Sequence, residues 1–204
     1  MTAEIKNNIL HRAEGLFLKY GVKSVTMDDI ARELAVSKKT LYQFFENKND
    51  LLEQVAEHNF SNDLFKIEEI KRLATDALDE MMRIARHILS ELARIQSPTM
   101  FYDLQKYHRE LWLKFEKHND ETVFQHIKNN IERGVSEGLY RTDLDADIIA
   151  KIYVNNMNLI IMDSHAMQTR EDRTRLFRQT FSYHTHGIAT PRGLELLEKR
   201  LTEL

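Results

Sequence analysis

Between Lys38 and Gln43 the chain reads Lys-Lys-Thr-Leu-Tyr-Gln, and five of these six side chains can donate hydrogen bonds to a nucleic acid. Glutamine can bond adenine in two places, and lysine can reach guanine acceptors in the major groove, which suits Lys38, Lys39 and Gln43 to base edges. The hydroxyls of Thr40 and Tyr42 suit phosphate oxygens, contacts that fix register without reading sequence. Lys48 adds a charge where a further helix is expected to begin, and free backbone N–H groups there favour phosphate. Thr26 and Ser37 are helix caps first and phosphate contacts second.

For these groups to act together they must share one face. On a wheel of 100° per residue, Leu41 and Phe45 mark the buried side of a helix expected over Lys38–Phe45. Opposite them falls Gln43, with Lys39 and Thr40 on either side, Lys38 and Tyr42 round one flank and Phe44 round the other. Ser37 precedes this helix as its cap. Thr26 with Asp29 makes a capping-box start for the helix before it, which carries Ile30, Ala31 and Leu34 and stops near Ala35-Val36. An amphipathic helix over about 4–20 (Ile5, Ile9, Leu10, Ala13, Leu16, Phe17, Tyr20) ends at Gly21, a left-handed C-cap position. Asn47 with Asp50 caps a fourth helix, with Leu51, Leu52 and Val55 facing inward. Two short helices joined by a tight link and packed by longer ones form the helix-turn-helix plan.

Composition agrees. The 204 residues include only six Gly and two Pro, and helix formers dominate throughout, so the fold is expected to be all-α. With no Cys, disulfides and thiolate chemistry are excluded. No apolar run approaches the ~20 residues of a spanning helix and no signal-peptide stretch opens the chain, so a cytoplasmic protein without membrane contact is expected. Net charge is −3, but residues 1–48 hold eight of the 29 Lys and Arg and six of the 32 Asp and Glu, a local +2 that leaves −5 for the rest. A mildly basic head on an acidic body can bind phosphate locally.

From Ile9 to Val55 the sequence resembles the DNA-binding region of the TetR/AcrR family of bacterial transcription regulators. The matching words are Ala13-Glu14-Gly15-Leu16-Phe17 with Tyr20-Gly21, then Thr26-Met27-Asp28-Asp29-Ile30-Ala31, then Ser37-Lys38-Lys39-Thr40-Leu41-Tyr42, Phe45, Lys48 and Leu51-Leu52. This is about a quarter of the chain. The resemblance implies that Lys38, Lys39 and Gln43 face bases and that Thr40, Tyr42 and Lys48 hold phosphates. Ala35 stands where many members have glycine, so the turn is expected to take a conformation that alanine accepts. Phe44 stands where a hydrogen-bonding His or Tyr is frequent and is not expected to read DNA. A weaker echo, Gly134 to Asp143, resembles the loop before that family's dimerisation helices.

The expected division is a helix-turn-helix DNA-binding domain over 1–48 and a larger helical effector-binding and dimerisation domain over 49–204. The second reads as six or seven further helices, with breaks near Ile67–Lys71, Ser97-Pro98, Gly138–Asp145, Met167–Glu171 and Gly187–Pro191, Pro191 opening the last helix. In the family, the middle helices surround an effector cavity. The resemblance thus offers His87, Tyr102, Tyr107, Trp112, Phe115 and Phe124 as lining, although such a stripe is more often ordinary core. Asn155, Asn156 and Asn158 are unusual in an apolar helix. At least one is expected to face inward and need a partner, more often a core or interface group, although for Asn155 or Asn156 a ligand is the alternative. The family places its dimer contact on the two helices after Asp145. Here those carry Ile149, Tyr153, Met157, Ile160, Ser164, Phe177, Thr180, Phe181 and His184, which either cross an interface or fill the core.

No metal or cofactor is expected. His184 and His186 diverge by about 200° on a helix, and His87 with Glu91 makes at most half a site. No Gly-rich phosphate loop, HExxH or GxSxG word exists, which argues against an enzyme. The resulting expectation is a homodimer on double-stranded DNA, a repressor released from a palindromic operator by a small-molecule effector. A same-fold activator, or a regulator without such an effector, is the alternative; a helical enzyme or carrier is a remote one.

Overall fold

Thr26 and Ser37 do cap two short helices. The computed structural model describes residues 2–97, 99–162 and 169–201. Helices run α1 Thr2–Tyr20, α2 Met27–Glu33, α3 Lys38–Tyr42, α4 Lys48–Leu73, α5 Ala77–Arg94, α6 Met100–Tyr107, α7 Arg109–His118, α8 Phe124–Ser136, α9 Ala146–Met162, α10 Arg170–Ile188 and α11 Pro191–Leu201. The fold is all-α, with no named strand among the described residues. No helix among them is long and apolar enough to cross a membrane.

Several boundaries differ from the sequence expectation. α4 runs through Ile67–Lys71 to Leu73, because its apolar positions keep their period and neither Gly nor Pro interrupts it. α3 ends at Tyr42 rather than Phe45; Gln43 caps it, and the N–H groups of Phe44 and Phe45 both turn back to the Leu41 carbonyl. A π-helical segment, Asn119–Val123, links α7 to α8. It turns Asn119 inward, where its amide donates to Asn158 Oδ1 at 3.1 Å. Asn158 is thus the member of the α9 asparagine cluster whose inward partner is a protein group.

By compactness the chain forms two units, Met1–Phe65 with Ala93–Lys114 and Lys66–Leu92 with Phe115–Leu204, a partition distinct from the functional division expected at 48/49. In the first unit, Ile9, Ala13 and Phe17 of α1 are buried with Ile30 of α2, Leu41 of α3, Phe45 and Leu51 of α4. Segment 93–114 is tied to α1 by polar bonds. The Leu18 carbonyl accepts from the N–H groups of Gln96 and Ser97, and Arg94 pairs with the buried Glu14 at 2.8 Å. The buried Asp103 of α6 accepts the Lys23 N–H at 3.0 Å, in the connection between α1 and α2. Gly21 ends α1 at φ 82°, and a Cβ there would lie 2.9 Å from Ser97 Oγ, so both conformation and space require glycine.

In the second unit, Glu137 Oε2 accepts the first N–H of α5, at Ala77, and its Oε1 takes Arg133 Nε at 2.7 Å. Arg133 also reaches the buried Glu80 at 2.9 Å, and Asn130 donates to the Ala77 carbonyl. Arg200 of α11 clasps Asp76 through both terminal nitrogens, holding that carboxyl down at about 2. A Cβ on Gly134 would fall 2.0 Å from the Tyr140 ring, so the glycine of the Gly134–Asp143 echo is a packing requirement.

Two features carry measurable costs. The α2–α3 turn departs from expectation. Ala35 does not avoid the glycine conformation but adopts it, at φ 52°, held by bonds from Ala35 N to the Arg32 carbonyl and from Val36 N to the Ala31 carbonyl. The turn geometry is set by the packing of α2 on α3, so alanine accepts left-handed strain of about 1–2 kcal/mol. Ala35→Gly is therefore expected to raise unfolding stability by up to about 1 kcal/mol, glycine's greater unfolded-state entropy offsetting part of the relief, as denaturant titration would show. An unchanged or lower midpoint would contradict the strain.

The second feature is a buried ring pair, Tyr153 of α9 against His184 of α10, with centroids 4.4 Å apart. Tyr153 OH and His184 Nε2 make no protein hydrogen bond among the described residues. Burial lowers His184 from 6.5 to about 4, so the folded state resists its protonation. Its contribution is complete above pH 6.5 and is lost as pH falls toward 4, by about 3 kcal/mol in all. His184→Phe is expected to flatten the fall of stability over that range; a profile parallel to the parent's would refute the assignment.

Candidate nucleic-acid interface

Thr26 and Asp29 close a reciprocal box at the start of α2. The Thr26 hydroxyl oxygen accepts the Asp29 N–H at 3.2 Å, while Asp29 Oδ2 accepts both the Thr26 N–H at 3.0 Å and its hydroxyl at 2.6 Å. The hydrogen bonds from Thr26 hold the Asp29 carboxyl below its ordinary value. At α3 the Ser37 hydroxyl accepts the Thr40 N–H at 3.0 Å and lies 2.8 Å from the Thr40 hydroxyl. The caps expected at Thr26 and Ser37 are therefore formed. Their hydroxyls, and that of Thr40, are already engaged.

Burying Leu41 completely turns the opposite face of α3 outward. Lys38, Lys39, Tyr42 and Gln43 are all exposed, and Thr40 is partly so. Their circumstances differ. Lys39 makes no ion pair among the described residues, whereas Lys38 pairs with Asp28 in the first turn of α2. A DNA contact from Lys38 must exchange that carboxylate for a base or phosphate. Phe44 is partly buried with its ring 6.4 Å from that of Phe45, so it packs at the edge of the core.

The start of α4 is more occupied than expected. Asn47 Oδ1 accepts the N–H groups of Asn49 and Asp50, and Asp50 Oδ2 accepts the Glu46 N–H. With those N–H groups satisfied internally, Lys48 offers its ammonium rather than an open helix end. Burial holds that ammonium below its ordinary value, against the opposing pull of Asp103. His108 is likewise lowered, by burial and by Lys48.

The residues offered as effector lining differ in burial. Tyr102, Tyr107 and Asn155 are exposed, because α6 buries Asp103 and Leu104 and α9 buries the positions beside Asn155. Trp112 is buried, while His87, Phe115, Phe124 and Asn156 are partly buried. Tyr102, Tyr107 and Trp112 belong to the first compact unit and the others to the second.

The residues expected either at a dimer contact or in the core differ in burial. Tyr153, Met157, Ile160, Phe177, Phe181 and His184 lie in the core of the second unit, between 1% and 8% exposed. Thr180 is partly exposed, and Ser164 lies outside the described residues. Both faces of α9 are apolar, and the face left open is Ile148, Ile152 and Leu159, each about half exposed. On α10 the open side carries Tyr183, 79% exposed, in a shallow groove with Gln179, Ser182, His186 and Gly187. Sequence reasoning passed over this stripe. Its i, i+4, i+11 spacing at 148, 152 and 159 was the available signal.

Known proteins share this arrangement. The pattern described as "Bacterial regulatory proteins, tetR family" matches residues 9–55. The HTH-type transcriptional regulator YhgD of Bacillus subtilis is 26% identical over 172 residues, covering 76% of this chain and 83% of that protein. The HTH-type transcriptional repressor KstR2 of Mycolicibacterium smegmatis is 24% identical, covering 72% of this chain and 73% of its own. In fold, the crystal structure of a TetR transcription regulator from Haloarcula marismortui superimposes with a TM-score of 0.76 at 18% identity, over 92% of this chain and all of that one. With its capped α2–α3 pair lying inside the matched region, the head of this chain is similar to that of the tetR family of bacterial regulatory proteins.

Proposed function

We propose that the protein is a homodimeric repressor that binds a palindromic operator in the cytoplasm and is released by a small-molecule effector. The observation that carries the DNA half of this reading is the solvent-facing side of α3, where Lys39, Gln43 and Tyr42 are exposed above a fully buried Leu41. Lys39 and Gln43 are the base readers, joined by Lys38 once Asp28 releases it. Tyr42 and Lys48 hold phosphates, with Thr26, Ser37 and Thr40 as lesser contacts whose hydroxyls already serve the caps. The Mycolicibacterium relative is a repressor, which supports the sign of regulation at 24% identity.

The dimer half rests on the stripe of α9 and the open side of α10. Three large aliphatic side chains in line on α9, and on α10 a tyrosine almost fully in water, are apolar surface that a two-fold copy would cover. Half-sites one duplex turn apart, about 34 Å, or a multiple of it, then follow from a symmetric pair of α3 helices.

Selection of bound duplexes from a random pool tests the reading, an inverted-repeat consensus being the expected result. On that consensus, Gln43→Ala should relax base preference at one position of each half-site, at a cost of about 1–3 kcal/mol. Lys48→Ala should weaken binding to all sequences alike and flatten its salt dependence. A uniform loss from Gln43→Ala would remove it from the base readers. For the dimer, Ile152→Glu should yield monomers in sedimentation at concentrations where the parent is paired; an undisturbed dimer would move the interface elsewhere.

A further inference from the structure

The first compact unit carries a second cluster of cations outside the helix-turn-helix. Lys106 Nζ of α6 donates to the Tyr102 hydroxyl at 2.8 Å and lies 5.4 Å from the centre of the Tyr107 ring. Lys23 Nζ, from the connection between α1 and α2, lies 5.1 Å from that same ring. Two ammonium groups thus share one aromatic ring, and neither makes an ion pair among the described residues. The Tyr102 and Tyr107 rings favour the charged form of Lys106, so the cluster presents its positive charge to an incoming anion. All four side chains are exposed. The Tyr102 oxygen accepts from Lys106, which leaves its own proton to donate.

The cluster is continuous with the proposed DNA surface. Lys23 stands three residues before the Thr26 cap, and its backbone N–H is held by Asp103 of α6. Asp103 in turn lies close enough to Lys48, a proposed phosphate contact, to oppose the lowering of its charge. Segment 100–107 is therefore anchored to the head itself. Lysines interleaved with tyrosine hydroxyls fit the phosphodiester backbone, whose contacts are set by charge and need no base geometry.

We propose that Lys23, Lys106, Tyr102 and Tyr107 form an accessory DNA-backbone site that extends the footprint of the reading head onto duplex flanking the operator. This rests on the DNA-binding reading above. Each phosphate neutralised contributes about 0.9 to the slope of log affinity against log salt, so the site has a direct signature.

The test measures binding of the full chain to two duplexes by fluorescence anisotropy across a salt series. One is the inverted repeat recovered from the random pool with long flanks; the other is the same repeat trimmed to its outer bases. Lys23→Gln/Lys106→Gln is expected to bind the long duplex about tenfold or more weakly than the parent, with a slope reduced by about 2–4 for a two-fold dimer. On the trimmed duplex the double variant and the parent should bind alike, with base preference unchanged. Lys117→Gln, an exposed lysine of α7 beside Glu121, checks for an effect of net charge alone and should match the parent on both duplexes. If the double variant equals the parent on the long duplex, or loses affinity equally on both, the accessory site is overturned while DNA binding stands. If the parent itself retains no duplex from the pool, the DNA-binding reading falls and takes the accessory site with it.

Discussion

A helix of five residues cannot sustain itself. Its internal hydrogen bonds are too few to offset the cost of fixing the first turn, so α3 exists only because its surroundings hold it. Three groups do so. Ser37 satisfies the N–H of Thr40, Leu41 is wholly removed from water, and Phe45 just beyond the helix is equally buried. Burying two such side chains contributes about 3–6 kcal/mol by apolar transfer, and the cap about 1 kcal/mol. This anchoring through one side leaves the opposite side rigidly presented and polar. The exposed side chains of α3 inherit their direction from Leu41 and Phe45.

That dependence explains why the head was largely legible in the sequence. Caps are local devices, and Thr26, Ser37, Asn47 and Asp50 each bond within four residues of themselves. The wheel of α3 needs only two apolar residues to set its phase. What the sequence could not give was the state of the exposed groups. Lys38 pairs with Asp28 across the turn, a contact that depends on how α2 packs on α3. Ala35 misled for a related reason, since its side chain favours a right-handed backbone and only the tertiary packing overrides it.

The second unit was legible in helix type and illegible in helix face. In α9 the apolar residues surround most of the circumference. Ala150, Tyr153, Val154, Met157 and Ile160 point inward, while Ile148, Ile152 and Leu159 point out. A helix apolar all round is expected either in a deep core or with a partner on its second side, and periodicity alone cannot separate the two. The same limit applies to Asn158. Its partner Asn119 lies 39 positions away, on a π-helical turn that no local pattern announces.

Charge ties these observations to DNA. The chain is net acidic, yet eight of its 29 cationic side chains fall in the first 48 residues. Carboxylates elsewhere repel a duplex only within a screening length of about 8 Å at physiological salt, whereas a lysine in contact with phosphate acts at full strength. An acidic remainder thus lowers sequence-independent adhesion, and a few well-placed cations keep the docked state. The α2–α3 pair follows the same economy. Lys38 is paired with Asp28, so its charge is already partnered in the free head. In the proposed complex a base edge or phosphate exchanges for a carboxylate already in place, a cost that falls on every site alike.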